Sequence, residues 1–180
     1  MGNTEHEYHA AAKVCKSIFE AKLLDYGSNW RILRPSSMTD QLLIKARRIR
    51  NLEGGLQAQV AEGIEPEYIG IVNYGIMALI QCRVGYLDAP EESTQAILEQ
   101  YSTIAQEIFE LMQAKNNDYG EAWRDMRLSS LTDMVLNRIH RIKQIEDNQG
   151  KTSVSEGIES NYMDMVNYAL FALIKLGVGK

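Results

Sequence analysis

A chain of 180 residues with 45% hydrophobic content can bury one sizeable core, and a formal net charge of −5 argues against nucleic acid as a partner, because phosphate binding needs a basic face. Two cysteines, Cys15 and Cys82, lie in apolar, helix-like stretches; they give no disulfide framework and fit a reducing, cytoplasmic setting. The polar start Met1-Gly2-Asn3-Thr4-Glu5-His6 lacks the order of a signal peptide, and the apolar run Tyr68 to Val84 carries Asn73, Gln81 and Arg83, so a buried helix is expected and no membrane partner.

Three prolines and long 3.6-residue periodicities predict an all-α protein. The first helix is expected from about Glu5 to Asp25, with Tyr8, Ala11, Ala12, Cys15, Ile18, Phe19 and Leu23 as its apolar stripe; Gly27 then stops it by taking a left-handed conformation. Residues 28–38 read as irregular. Thr39, or Ser37, reads as the N-cap of a second helix running to Leu52, with Leu42, Leu43, Ala46 and Ile49 inward and Gly54-Gly55 ending it. A third helix is expected from Glu62–Pro66 to Arg83, followed by a linker over Gly85–Pro90. The same order then recurs: a fourth helix over about Glu91–Asp118 with Ser93 or Thr94 near its start, a fifth over Leu131–Asp147 capped by Ser130, and a sixth over Glu156–Leu176.

The recurrence is a tandem duplication. Residues 20–53 match 113–146 at 16 of 34 positions, and 62–80 match 156–174 at 11 of 19. The strings Asp25-Tyr26-Gly27-Ser28-Asn29-Trp30-Arg31 and Asp118-Tyr119-Gly120-Glu121-Ala122-Trp123-Arg124 mark it most clearly. Six helices are therefore expected, built from two three-helix repeats (1–85 and 91–180, joined by 86–90) fused into one domain about a pseudo-two-fold axis, with the third and sixth at the centre.

The second repeat carries the fuller polar set. On a sixth helix starting at Glu156, the residues Glu156, Glu159, Asp164 and Asn167 fall at about 0°, 300°, 80° and 20° around the axis. Oxygen ligands grouped this way suit Mg²⁺ or Mn²⁺, and the three carboxylates become candidate catalytic groups. Lys115, Arg138 and Arg141 are candidate phosphate-binding cations, and Tyr119, Trp123 and Asn167 candidate walls of a base or sugar pocket. Asp118, Gly120 and Arg124 are read as bracing the turn. In the first repeat Gly70 stands where the second has Asp164, which reads as a lost ligand and a degenerate copy serving as scaffold. Each residue also has an ordinary reading as a cap, a core aromatic or a solvated cation.

The string Lys115 to Arg124, with Leu131-Thr132-Asp133, Arg138-Ile139-His140-Arg141-Ile142, Glu156-Gly157-Ile158-Glu159 and Asp164-Met165-Val166-Asn167-Tyr168-Ala169, resembles a bacterial and phage family named nucleotide-modification-associated domain 1. The resemblance covers residues 110–175 and, through the repeat, most of 20–80. It implies a link to nucleotide modification. More distantly, the chain is similar to all-α nucleotide pyrophosphatases of the MazG and dimeric dUTPase type, which hold Mg²⁺ with Glu-x-x-Glu and a Glu-x-x-Asp on a later helix. Glu156-x-x-Glu159 matches the first element; the second is absent, and Asp133 would have to complete the metal set. Two expectations follow: a nucleotide-binding or Mg²⁺-dependent nucleotide pyrophosphohydrolase, or a non-enzymatic helical module binding a nucleotide or a partner protein. Self-association is left open.

Overall fold

The structure, a computed structural model, describes residues 3–90 and 93–180. Six α-helices form an all-α bundle: α1 Thr4–Tyr26, α2 Pro35–Glu53, α3 Glu65–Val84, α4 Thr94–Tyr119, α5 Leu128–Asp147 and α6 Ile158–Lys175. Short 3₁₀ turns, Asn29–Ile32 and Ala122–Asp125, follow α1 and α4. No strand occurs among the described residues, and none of their helices is long and apolar enough to cross a membrane.

The periodicities place the helices well and some of their ends badly. α1 buries Tyr8, Ala11, Cys15, Phe19 and Leu23, the expected stripe. Gly27 (φ 71°) ends it and donates its N–H to the Leu23 carbonyl at 2.9 Å; Gly120 (φ 63°) ends α4 in the same way of turning. Ser93 caps α4 by accepting from the Ala96 N–H, while the expected start near Glu91 lies outside the described residues. The second helix starts at Pro35 and the fifth at Leu128, so Thr39 and Ser130 are not N-caps. Proline has no N–H to lose at a helix's first position and its φ is already helical, so Pro35 opens α2 where a break was expected. α6 begins at Ile158, which leaves Glu156 in the preceding loop.

α3 and α6 are buried around most of their circumference and cross at the centre of the bundle. Their close approach depends on Gly75, where an added Cβ would lie 2.5 Å from Val166 Cγ2 and 2.9 Å from Met165 Cε. Gly75→Ala is expected to destabilise the protein by about 1–3 kcal/mol through overpacking, read as a lower urea midpoint at unchanged slope.

Polar contacts between the repeats come in reciprocal pairs. Tyr8 donates its hydroxyl to Asn167 Oδ1 (2.7 Å), and Asn167 donates to the Ile108 carbonyl. At the matching positions Tyr101 donates to Asn73 Oδ1 (2.7 Å), and Asn73 donates to the Cys15 carbonyl. Thr39 Oγ1 lies 2.5 Å from the Tyr162 hydroxyl and donates to Glu146 (2.7 Å). Thr132 likewise meets the Tyr68 hydroxyl and donates to Glu53 (2.8 Å). Lys143 pairs with Asp40, and Arg50 with Asp133. In each pair a residue of one repeat touches in the other the counterpart of what its own counterpart touches.

Burial raises the carboxyls of Glu146 and Glu53 above the ordinary range, against the lowering effect of the threonine hydrogen bonds. A raised native pKa means that the folded state holds the proton more tightly. Its contribution to stability is full below the unfolded pKa, about 4.3, and is lost as pH rises through the native value. The double variant Glu53→Gln/Glu146→Gln should therefore flatten any decline in melting temperature from about pH 4 to 7, relative to the parent protein.

Candidate functional site

The structure does not bring the four proposed metal ligands together. Among the described residues, no three His, Cys, Asp or Glu side chains are grouped to hold a metal ion. Glu159, in the first turn of α6, is bound by Arg83 Nε at 2.7 Å, and Arg83 also takes Glu107. Asp133 faces Arg50 across the α2–α5 contact at 3.8 Å. Glu156 sits off the helix, and with Arg141, Lys151 and Asn161 it lines an open depression of about 650 Å³ beneath the α5–α6 loop. Glu156 leaves the grouping because α6 starts two residues later than expected, and Glu159 and Asp164, about 140° apart around α6, turn to different cations.

Asp164 alone of that set meets the expected cations. Its side chain is 8% exposed and accepts from Lys115 Nζ at 2.5 Å and from Arg138 Nε at 3.3 Å. The three come from α6, α4 and α5, so the bundle converges them where sequence distance does not. The Arg138 guanidinium also lies 5.7 Å from the centroid of the Tyr168 ring. Both cations are thus engaged by Asp164 within the protein.

The proposed base pocket is likewise corrected. Trp123 is buried and stacks on Phe171, with centroids 4.4 Å apart and planes at 3°, and Arg124 covers it at 4.4 Å. Asn167 is consumed by Tyr8 and Ile108 in the interior. Tyr119 is 75% exposed at the end of α4. Arg124 ties the turn to α1 through Glu7 (2.7 Å) and Thr4, and to Glu121 (2.7 Å); Asp118 stays at the surface.

The cleft with the chemistry of a ligand site lies on the first repeat. It holds about 590 Å³ between α1, the 3₁₀ turn, α2 and α3, a volume typical of small-molecule pockets. Its apolar wall is Phe19, Leu23, Trp30 and Met77, with Tyr26 and Tyr74 at its sides. Lys22 from α1 and Lys45 from α2 line it beside Gly70. Lys45 Nζ stands 5.1 Å from the centroid of Tyr74 and 3.8 Å from Glu67, which is held more closely by Arg48 at 2.8 Å. Lys22 has no ion-pair partner among the described residues. Glu62 is the other acidic residue on the wall.

Position by position, this cleft is the twin of the Asp164 cluster. Lys22 corresponds to Lys115, Lys45 to Arg138, Tyr74 to Tyr168, Trp30 to Trp123, Met77 to Phe171 and Gly70 to Asp164. The second repeat fills with a carboxylate and a phenyl ring what the first leaves open. The repeated turn puts Tyr26 and Trp30 opposite Tyr119 and Trp123, and Gly70 stands opposite Asp164, where the missing carboxylate reads in the sequence as decay.

Fold and site together define a duplicated all-α bundle with one open basic–aromatic cleft and one filled counterpart. The family model described as nucleotide modification associated domain 1 matches the chain twice, over residues 22–82 and 115–176. The chain belongs to that family, and the two matches coincide with the two repeats. Comparison with curated proteins and with solved structures gives no match.

Proposed function

We propose that the protein is a nucleotide-binding module whose ligand enters the first-repeat cleft, with the base against Tyr26 and Tyr74 beside the buried Trp30, and the phosphate toward Lys22 and Lys45. The observation that carries this reading is the coexistence in one 590 Å³ cleft of an aromatic wall and two lysines, one of them without an ion-pair partner among the described residues. Stacking on an aromatic face is tolerant of base identity, and ammonium groups bind phosphate as point charges. The family's name, with its loose link to nucleotide modification, supports the same ligand class.

Binding is favoured over hydrolysis. A pyrophosphohydrolase needs grouped carboxylates to hold Mg²⁺ or Mn²⁺ near the scissile phosphate. Here Glu159 pairs with Arg83, Asp133 with Arg50 and Asp164 with both Lys115 and Arg138, and Glu156 stands apart.

The test is calorimetric titration of the four 2′-deoxynucleoside monophosphates and triphosphates, with and without Mg²⁺, alongside an assay for released phosphate and pyrophosphate. Binding of at least one nucleotide at one site per chain, with no turnover, is expected. Turnover abolished by Glu159→Gln would restore the hydrolase reading. Absence of binding by every nucleotide would remove the proposal.

A further inference from the structure

We infer that the second repeat is a self-occluded anion site, in which the Asp164 carboxylate occupies the place that a ligand's phosphate takes between Lys22 and Lys45 in the first. This deepens the proposed function and rests on its choice of cleft. The geometry in the second repeat is explicit: one carboxylate from α6 bridges a lysine from α4 at 2.5 Å and an arginine from α5 at 3.3 Å. At the matching positions of the first repeat both cations remain, Lys22 and Lys45, and the carboxylate is replaced by Gly70.

Lys45 packs across Gly70. A Cβ built on Gly70 would lie 3.0 Å from its Cδ and Cε and 3.1 Å from its Nζ. The ammonium group is thus close to where the missing side chain would start, beside open volume. Lys45 is countered by Glu67 at 3.8 Å, which Arg48 holds more closely, and Lys22 has no ion-pair partner among the described residues, so an anion in this cleft would meet two cations as Asp164 does in the twin. The second repeat is closed on its apolar side as well, because Phe171 stacks on Trp123 where the first repeat has Met77. Removing the carboxylate should therefore admit a small anion there and still exclude a base. The protein would then bind one nucleotide per duplicated chain, with the second site built shut.

Pyrophosphate and a deoxynucleoside monophosphate are titrated calorimetrically into the wild type, Asp164→Ala and Gly70→Asp proteins, with thermal melts in parallel. Wild type should take one pyrophosphate per chain and Asp164→Ala two. Gly70→Asp should lose its site at least tenfold in affinity, because the new carboxylate lies within reach of Lys45. Pyrophosphate at a hundredfold excess over Kd should raise the Tm of Asp164→Ala by about 5 °C more than that of wild type, a chemical rescue of its unpaired cations. One site in a folded Asp164→Ala protein, or unchanged affinity in Gly70→Asp, would overturn the inference. Should Asp164→Ala fail to fold, Gly70→Asp decides alone. Monophosphate binding to wild type without these variant effects would leave the nucleotide reading standing and the occlusion wrong. Pyrophosphate effects without any monophosphate binding would do the reverse.

Discussion

Asp164→Ala is expected to destabilise the protein by about 3 kcal/mol in phosphate-free buffer, measured by urea denaturation. The cost comes from the partner left behind. The Arg138 side chain is only 12% exposed, and after the substitution its guanidinium keeps Asn137 (2.8 Å) and the Tyr168 face but no counter-charge. Lys115 is 45% exposed and can turn to solvent, so it contributes little to the loss. Asp164→Asn retains the shape and an acceptor and should cost less, about 1–2 kcal/mol. A loss in the alanine variant no larger than that of an exposed surface substitution, within about 0.5 kcal/mol, would show that the pair is not structurally important.

The duplication and the helix order are legible in the sequence because they rest on local signals. Matched Asp-Tyr-Gly turns, apolar spacing and glycine stops need no knowledge of what packs where. The places that misled are those where a distant part of the chain decides. Thr39 looks like an N-cap by composition, yet its hydroxyl serves Tyr162 and Glu146 across the repeat interface. Trp123 looks like a base platform until Phe171 covers it, and Asn167 until Tyr8 from α1 claims it. Glu156 entered the candidate metal set through a helix start two residues too early. The candidate site itself was half visible. Tyr26 and Trp30 stand in the repeated turn and Gly70 is set against Asp164, but Lys45 and Phe19 carry no identity between the repeats, and which twin is open depends on where Gly70 and Asp164 sit among three helices, which spacing along the chain does not carry.

Reversing both cleft lysines, Lys22→Glu with Lys45→Glu, is expected to weaken nucleotide binding by a factor of 100 or more. Charge-assisted hydrogen bonds are each worth about 1.5–3 kcal/mol, and two would be replaced by repulsion. Stability should change little through Lys22, which is exposed and has no ion-pair partner among the described residues; Lys45 gives up a 3.8 Å contact with Glu67, which Arg48 retains. Lys115→Met is the control. It removes the matched lysine of the second repeat, should cost some stability through Asp164, and should leave nucleotide affinity within about twofold. Equal loss of affinity in the control would place the ligand on the other repeat.

The chain's two tryptophans allow the most direct test of the open cleft. Trp30 lines it, whereas Trp123 is stacked under Arg124 in the filled repeat. In a Trp123→Phe protein the remaining emission comes from Trp30 alone. Titration with the nucleotide identified by calorimetry should quench or shift that emission saturably, at one equivalent, with the calorimetric Kd. In a Trp30→Phe protein, the emission of Trp123 should stay unchanged over the same range. A saturable response from Trp123 with none from Trp30 would contradict the assignment of the ligand to the first repeat.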